Sequence, residues 1–317
     1  MQVNVVILSS ELDPQEFKNY LTSEFPDVTF WAAREEAEIE AFIEKADVLV
    51  AHRFSDSLLR RAEKLKWIHC TITGTDFIEN LSSFQSRKDI ILTSSRGIHG
   101  PQMSEFAIVL MVALNRQLPR LVRNQDRQVW ERWSSPVLQG KTVGILGVGA
   151  IGQSIAEKCK AFQMTVLGVD PYPSETDAVD EFYGPDKLHF VVSKVDYLIS
   201  VLPSTPHTRN MLDREAFSKM KKTAFFINLG RGDVVQEEAL VQILKDRKIA
   251  GAALDTFCQE PLPREHPFWK MNNVIISPHV GGKSDTYTRK AAEIFQDNLR
   301  RFLGGEKADL VNLISRE

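Results

Sequence analysis

Residues 141–152, KTVGILGVGAIG, constrain the fold more than any other stretch of the chain. An apolar run ends in glycines spaced G-x-G-x-x-G, and a helical pattern follows. In that setting each glycine has a physical task. Gly147 permits the tight turn, Gly149 lets a pyrophosphate approach the backbone, and Gly152 lets helix and strand pack closely. The phosphates would then meet the free N–H groups of a helix N-terminus. A glycine-rich turn alone is common, but here Asp170 closes the next apolar run, MTVLGVD, in the position that accepts hydrogen bonds from an adenosine ribose. Its charge opposes a 2′-phosphate, and Pro171-Tyr172 follow with no arginine to neutralise one. The expected cofactor is therefore NAD rather than NADP; the plainer alternative is a structural turn and a surface carboxylate.

The same alternation runs through the whole chain. VNVVIL, ADVLVA, LKWIHC and DIILTS read as strands, with helical stretches around Glu35–Glu44 and Ser57–Lys64. A second set follows: KTVGILGVG, MTVLGVD, VDYLISVLP, TAFFINLG, IAGAALDTF and NNVIISP. Helices are expected near Ile151–Ala161, Arg214–Met220 and Gln236–Leu244. Strands separated by helices imply βαβ units and parallel sheets, and short all-apolar strands imply helices on both sheet faces. The fold class is α/β, with two such sets in 317 residues, enough for two cores. The apolar-periodic helix Pro101–Leu118 lies between the sets. An amphipathic helix over Ser284–Phe302 could return to the first set and make that domain discontinuous.

Composition narrows the partners. A formal charge of −3 and the lack of any basic run argue against nucleic acid or acidic lipid. No stretch approaches eighteen consecutive apolar residues, so no membrane span is expected. The first ten residues lack the pattern of a secretory signal. Cys70, Cys159 and Cys258 are odd in number and far apart, which suits buried spectators in a reducing cytoplasm. No metal site is expected: His69 and Cys70 end a strand, but a third ligand at a usual spacing is missing, so they read as core.

Three polar residues follow strands of the second set, where open α/β sheets place ligands: Arg231 after TAFFINLG, Glu260 after IAGAALDTFCQ and His279 after NVIISP. Reduction of a ketone by hydride leaves negative charge on oxygen, so such a site needs a proton donor; a 2-keto acid also needs a partner for its carboxylate. His279 titrates nearest neutrality, Glu260 could hold its other ring nitrogen, and Arg231 could hold the carboxylate. Each has a plain alternative as a surface ion pair, a turn residue or a satisfied buried histidine. Arg53, after a strand of the first set, could touch substrate or simply sit at the surface. His207 reads as a loop residue, and His99 as a cap or brace of the helix that follows.

The segments LKWIHCTITGTD (65–76), GIHGPQMSE (97–105), GVGAIG (147–152), VLPSTPHTRNML (201–212), INLGRGDVVQEEAL (227–240), AALDTFCQEPLP (252–263) and NVIISPHVGG (273–282) together resemble the D-isomer-specific 2-hydroxyacid dehydrogenase family over most of the chain. That resemblance implies two Rossmann-like or flavodoxin-like domains with the active site in the cleft between them. Residues 1–100, completed by 284–317, would bind substrate, and residues 101–283 would bind NAD. It implies catalysis by Arg231, Glu260 and His279. Cofactor contacts would come from Gly147, Gly149, Ala150, Ile151, Gly152, Asp170, Pro203, Thr208, Leu229, Asp255 and Gly281. Substrate contacts would come from Thr73 and Gly74, beside Arg53, Arg231 and His279. It further implies a homodimer acting on a small 2-keto or 2-hydroxy acid. Glu260 argues against a formate dehydrogenase relative, which carries glutamine there, and GIHGPQMSE is similar to the branch that reduces glyoxylate, hydroxypyruvate or bulkier 2-keto acids. D-lactate and D-3-phosphoglycerate are alternative substrates, and an NAD(H)-sensing regulator on the same fold is the alternative from another class.

Overall fold

A computed structural model describes residues 2–173 and 176–315. The chain divides into two compact units, Met1–Ile98 with Ser284–Glu317, and His99–Lys283. Residue 1 and residues 316–317, the outer ends of the first domain as read from sequence, lie outside the described residues. The protein is α/β, built on two parallel sheets.

In the first unit, β1 (Val3–Leu8), β2 (Val28–Ala33), β3 (Val48–Val50), β4 (Trp67–Cys70) and β5 (Ile91–Ser94) run parallel in the order β2-β1-β3-β4-β5. This is the flavodoxin-like order. Val5, Ile7, Val48 and Val50 face one apolar layer, and Val6, Leu8 and Leu49 face the other. That two-sided burial explains why these strands read as unbroken apolar runs. Helix α1 (Pro14–Thr22), absent from the sequence reading, starts where Asp13 accepts from the N–H groups of Gln15 and Glu16 and proline takes the first turn. It buries Phe17 and Leu21.

Residues 35–44 do not form the expected helix. They make two single 3₁₀ turns, Glu36–Glu38 and Ile43–Lys45. Ile39 and Ile43 are buried at helical spacing. However, Glu36 and Glu40 would repel one another four apart on a helix. Glu36 accepts instead from the Ser55 backbone and hydroxyl, next to α2 (Asp56–Arg61). Two short helices, α3 (Asp76–Glu79) and α4 (Ser82–Ser86), lead to β5.

The C-terminal helix, Tyr287–Gly304, belongs to this first unit. Phe295 stacks on Trp67 with ring centroids 5.0 Å apart, and Tyr287 donates its hydroxyl to the Thr71 carbonyl (2.9 Å). Deleting a buried phenyl ring of this kind costs about 3–5 kcal/mol, so the contact is a large part of what ties residues 284–315 to the early strands.

The second unit holds β6 (Thr142–Leu146), β7 (Thr165–Val169), β8 (Glu181–Tyr183), β9 (Tyr197–Ser200), β10 (Phe225–Asn228), β11 (Gly251–Leu254) and β12 (Val274–Ile276). Their order, β8-β7-β6-β9-β10-β11-β12, is the Rossmann arrangement extended by one strand. The direction of winding reverses between β6 and β9, and the crevice outside the carboxyl ends there is where such sheets bind ligands. On one face lie α5 (Gly100–Asn115) and α7 (Ala150–Ala161), with α6 (Leu118–Asp126) after α5. On the other lie α8 (Leu188–Lys194), α9 (Arg214–Lys219) and α10 (Glu237–Lys245). Among the described residues, no helix is long and apolar enough to cross a membrane.

Candidate active site

The glycine turn leaves β6 and opens α7. Gly147 has φ +88°, a conformation that side chains rarely adopt. A Cβ on Gly152 would lie 2.1 Å from the Gly147 carbonyl oxygen, so helix and turn approach at backbone distance. At Gly149 an added Cβ meets nothing within 4 Å, which leaves the turn open beside the N-terminus of α7. The residues therefore fit a dinucleotide pyrophosphate, to which Ala150 and Ile151 could offer first-turn N–H groups. Asp170, at the end of β7, accepts from the Val148 N–H (2.8 Å) and the Tyr172 N–H (2.9 Å). It thus braces the glycine turn itself, in addition to any ribose contact.

The loop after β9 carries Pro203 and Thr208. Thr208 donates its hydroxyl to the Pro203 carbonyl (2.6 Å), closing a compact turn in which His207 is exposed. After β10, Leu229 is buried and hydrogen-bonded to the Ser200 carbonyl, and the Asn228 side chain holds the Arg231 carbonyl (3.0 Å). This fixes the backbone from which the Arg231 guanidinium extends.

Arg231, Glu260 and His279 come together. Glu260 Oε2 meets His279 Nδ1 at 2.8 Å, while Oε1 accepts from the Phe257 N–H (3.0 Å). The Glu260 hydrogen bond raises the His279 pKa above its ordinary value; burial and the Arg231 charge oppose this, and the charges of Glu260 and Asp255 assist it. Burial pushes the Glu260 carboxyl up, but His279, the Phe257 N–H and Arg231 outweigh it and hold it below the usual range. With Nδ1 engaged, Nε2 is left to exchange a proton. The set can hold an anion at Arg231 and present beside it an imidazole whose protonated form Glu260 favours.

Asp255 is almost wholly buried at the end of β11. It accepts from Ser277 Oγ (2.6 Å), the Val280 N–H (3.0 Å) and the Gly281 N–H (2.9 Å). His279 lies inside that loop with φ 53°, left-handed and unusual for a side chain of its size. The three bonds to Asp255 hold the backbone in this conformation and aim the imidazole toward Glu260.

In the first unit, the loop 71–75 follows β4, with the Gly74 carbonyl accepting from Cys70 Sγ (3.5 Å). Exposed Arg53, beyond the end of β3, lies over the Phe77 ring at 5.0 Å from its centroid. Arg53, Thr73 and Gly74 thus sit at the carboxyl ends of neighbouring strands.

The family model for the D-isomer specific 2-hydroxyacid dehydrogenase NAD binding domain matches residues 108–281, more than half of the chain. The chain belongs to the D-isomer-specific 2-hydroxyacid dehydrogenase family. It is 34% identical to the D-3-phosphoglycerate dehydrogenase of Methanocaldococcus jannaschii over 85% of its own length, and spans about half (52%) of that relative. The crystal structure of a family protein from Aeromonas salmonicida superimposes with a TM-score of 0.91 at 33% identity, covering 99% of both chains. The NADPH-dependent glyoxylate/hydroxypyruvate reductase of Sinorhizobium meliloti, in complex with NADP and sulfate, has a TM-score of 0.87 at 27% identity, covering 99% of this chain and 98% of that one.

Within this family member the remaining sequence candidates fall into place as scaffold. His69 is fully buried between Thr93 Oγ1 (2.8 Å) and Ser95 Oγ (3.1 Å), and burial pushes its pKa down to about 3. His99 precedes α5 without capping it through its side chain and packs against Gly282. Cys70 and Cys159 are buried, but Cys258 is exposed, contrary to expectation. It lies in the turn between β11 and Glu260, where residues 258–261 are exposed. Sequence reasoning passed over the supporting residues Ser277, Phe257 and Glu237. Ser277 is signalled only by its place before Pro278-His279, and the other two act through a backbone N–H or on one.

Proposed function

We propose that the protein interconverts 2-keto acids and D-2-hydroxy acids with NAD(H), with glyoxylate, hydroxypyruvate or a related keto acid as substrate. The observation that carries this reading is the 2.8 Å Glu260–His279 pair under the charge of Arg231. A bound nicotinamide would supply or accept the hydride. Arg231 would hold the substrate carboxylate and polarise the neighbouring carbonyl. His279, kept charged by Glu260, would donate its Nε2 proton to the carbonyl oxygen in reduction and take it back in oxidation. The cofactor role is assigned to the unit His99–Lys283 and substrate binding to the unit that carries Arg53, Thr73 and Gly74.

Asp170 favours NAD, because a second negative charge on the ribose would face its carboxylate. The Sinorhizobium neighbour is described as NADPH-dependent, so this preference rests on the one residue rather than on the fold. Three free cysteines suit a reducing compartment such as the cytoplasm. A homodimer through the apolar face of α5 and α6 completes the proposal.

The test is the initial rate of NADH oxidation with glyoxylate, hydroxypyruvate, pyruvate, phenylpyruvate and phosphohydroxypyruvate, repeated with NADPH. Turnover of at least one, faster with NADH, is expected. Folded protein that binds NADH yet turns over none of them sinks the proposal, and faster rates with NADPH sink the reading of Asp170.

A further inference from the structure

A second carboxylate–imidazole pair stands behind the first. Glu237, in the first turn of α10, places Oε1 3.2 Å from His266 Nε2 and accepts the Cys258 N–H at Oε2 (3.2 Å). His266 Nδ1 accepts the Phe268 N–H (3.3 Å), which turns Nε2 toward the Glu237 carboxylate. Both side chains are largely covered, at 17% and 16% exposure, and the His266 ring packs on buried Phe268 with centroids 4.6 Å apart. The consecutive N–H groups of Phe257 and Cys258 are thus each held by a carboxylate, the first by Glu260 and the second by Glu237.

The same peptide is pressed from a third side. A Cβ on Gly232 would lie 2.0 Å from the Phe257 carbonyl carbon and 2.5 Å from the Cys258 nitrogen. The backbone next to Arg231 therefore lies flush on the Phe257–Cys258 peptide, and only glycine allows it. Whatever fixes that peptide fixes Glu260 relative to both Arg231 and His279.

We infer that Glu237 and His266 are positioning residues for the reaction: they clamp the Phe257–Glu260 turn so that Glu260 meets His279 Nδ1. Neither touches the reacting atoms. The inference rests on the proposed role of the Glu260–His279 pair, but its consequence can be read without turnover. The charged groups facing His279 are Glu260, Arg231 and Asp255. Loosening the turn weakens the Glu260 contribution and leaves Arg231, which lowers the pKa, and Asp255 in place. The His279 midpoint then falls.

The experiment is an NMR titration of the His279 ring, assigned with a His279→Gln control, in wild type, Glu237→Ala, Glu237→Gln and His266→Ala. Glu237→Ala and His266→Ala should lower the His279 midpoint by roughly half a pH unit or more. Glu237→Gln, which keeps one acceptor, should fall between them and wild type. In reduction kcat should drop about tenfold with KM for NADH unchanged. Folded Glu237→Ala or His266→Ala with an unmoved midpoint overturns the inference and leaves the pair a fold staple. If Glu237→Ala does not fold, His266→Ala decides by the same readout. A wild-type protein inactive on every keto acid counts against the proposed function alone, since the titration still reports on the clamp.

Discussion

His279 can serve as an acid near neutrality because Glu260 raises its pKa, and the sign of that shift sets the pH behaviour. In the proposed reaction, reduction needs the protonated ring. Its rate should hold at low pH and fall as pH rises through a midpoint above the ordinary histidine value of 6.5. Oxidation should show the opposite limb. Glu260→Gln removes the largest cause of the upward shift while keeping the shape. The reductive limb should then move to lower pH, whereas His279→Ala should cut the rate by about 10²–10⁴ below the wild-type midpoint. A pH profile of kcat/KM for the variant that overlays wild type would show that Glu260 does not control the ring. At this scale the sequence was informative, because Arg231, Glu260 and His279 each follow an apolar strand and carry chemistry no strand end needs for folding. The left-handed backbone of His279 was not legible. It depends on Asp255, 24 residues upstream, reaching across to the N–H groups of Val280 and Gly281.

Strands read well from sequence because burial on both faces leaves unbroken apolar runs, as in β1 and β6. β2 lacks that cover. β2 was missed although it pairs with β1 along its full length, because only Phe30 and Ala33 are buried. The helical reading of 35–44 failed because Ile39 and Ile43 keep a helical spacing that two separate turns also satisfy. The β11-to-β12 region shows how an element end becomes a site. Asp255 reads as a ligand-facing carboxylate, yet both its oxygens are engaged by the 277–281 loop. Asp255→Ala would leave the buried Gly281 N–H and the part-buried Val280 N–H without their acceptor, at a cost of about 1–3 kcal/mol. Urea denaturation should show that loss, and the His279 ring should lose its fixed place beside Glu260. A variant as stable and as active as wild type would mean that the loop holds itself.

At the scale of the molecule, the second unit carries an apolar face its own fold does not cover. The inner side of α5 buries Ala107, Met111 and Leu114, but Val109 is 55% exposed on the outer side, and Leu118 and Val122 of α6 are exposed beside it. A shallow cavity of about 410 Å³ opens there, lined by Val109, Leu118 and Val122 with Leu110, Ala113, Pro119, Ile275 and the charged residue Arg123. Exposed apolar surface gathered on two adjacent helices marks a site of association more often than bare surface, and the proposed homodimer would bury it against the same face of a second copy. A two-fold contact doubles the effect of any change, because each substitution meets its own symmetry mate or the mate's neighbour. Val109→Asp with Val122→Asp would place four carboxylates in the contact without touching the sheet beneath. Light scattering after size exclusion should give twice 35.9 kDa for wild type and 35.9 kDa for the double variant, with the thermal midpoint of each recorded as a check on folding. A wild type that runs at the single-chain mass, or a folded double variant that stays a dimer, would move the interface off α5 and α6.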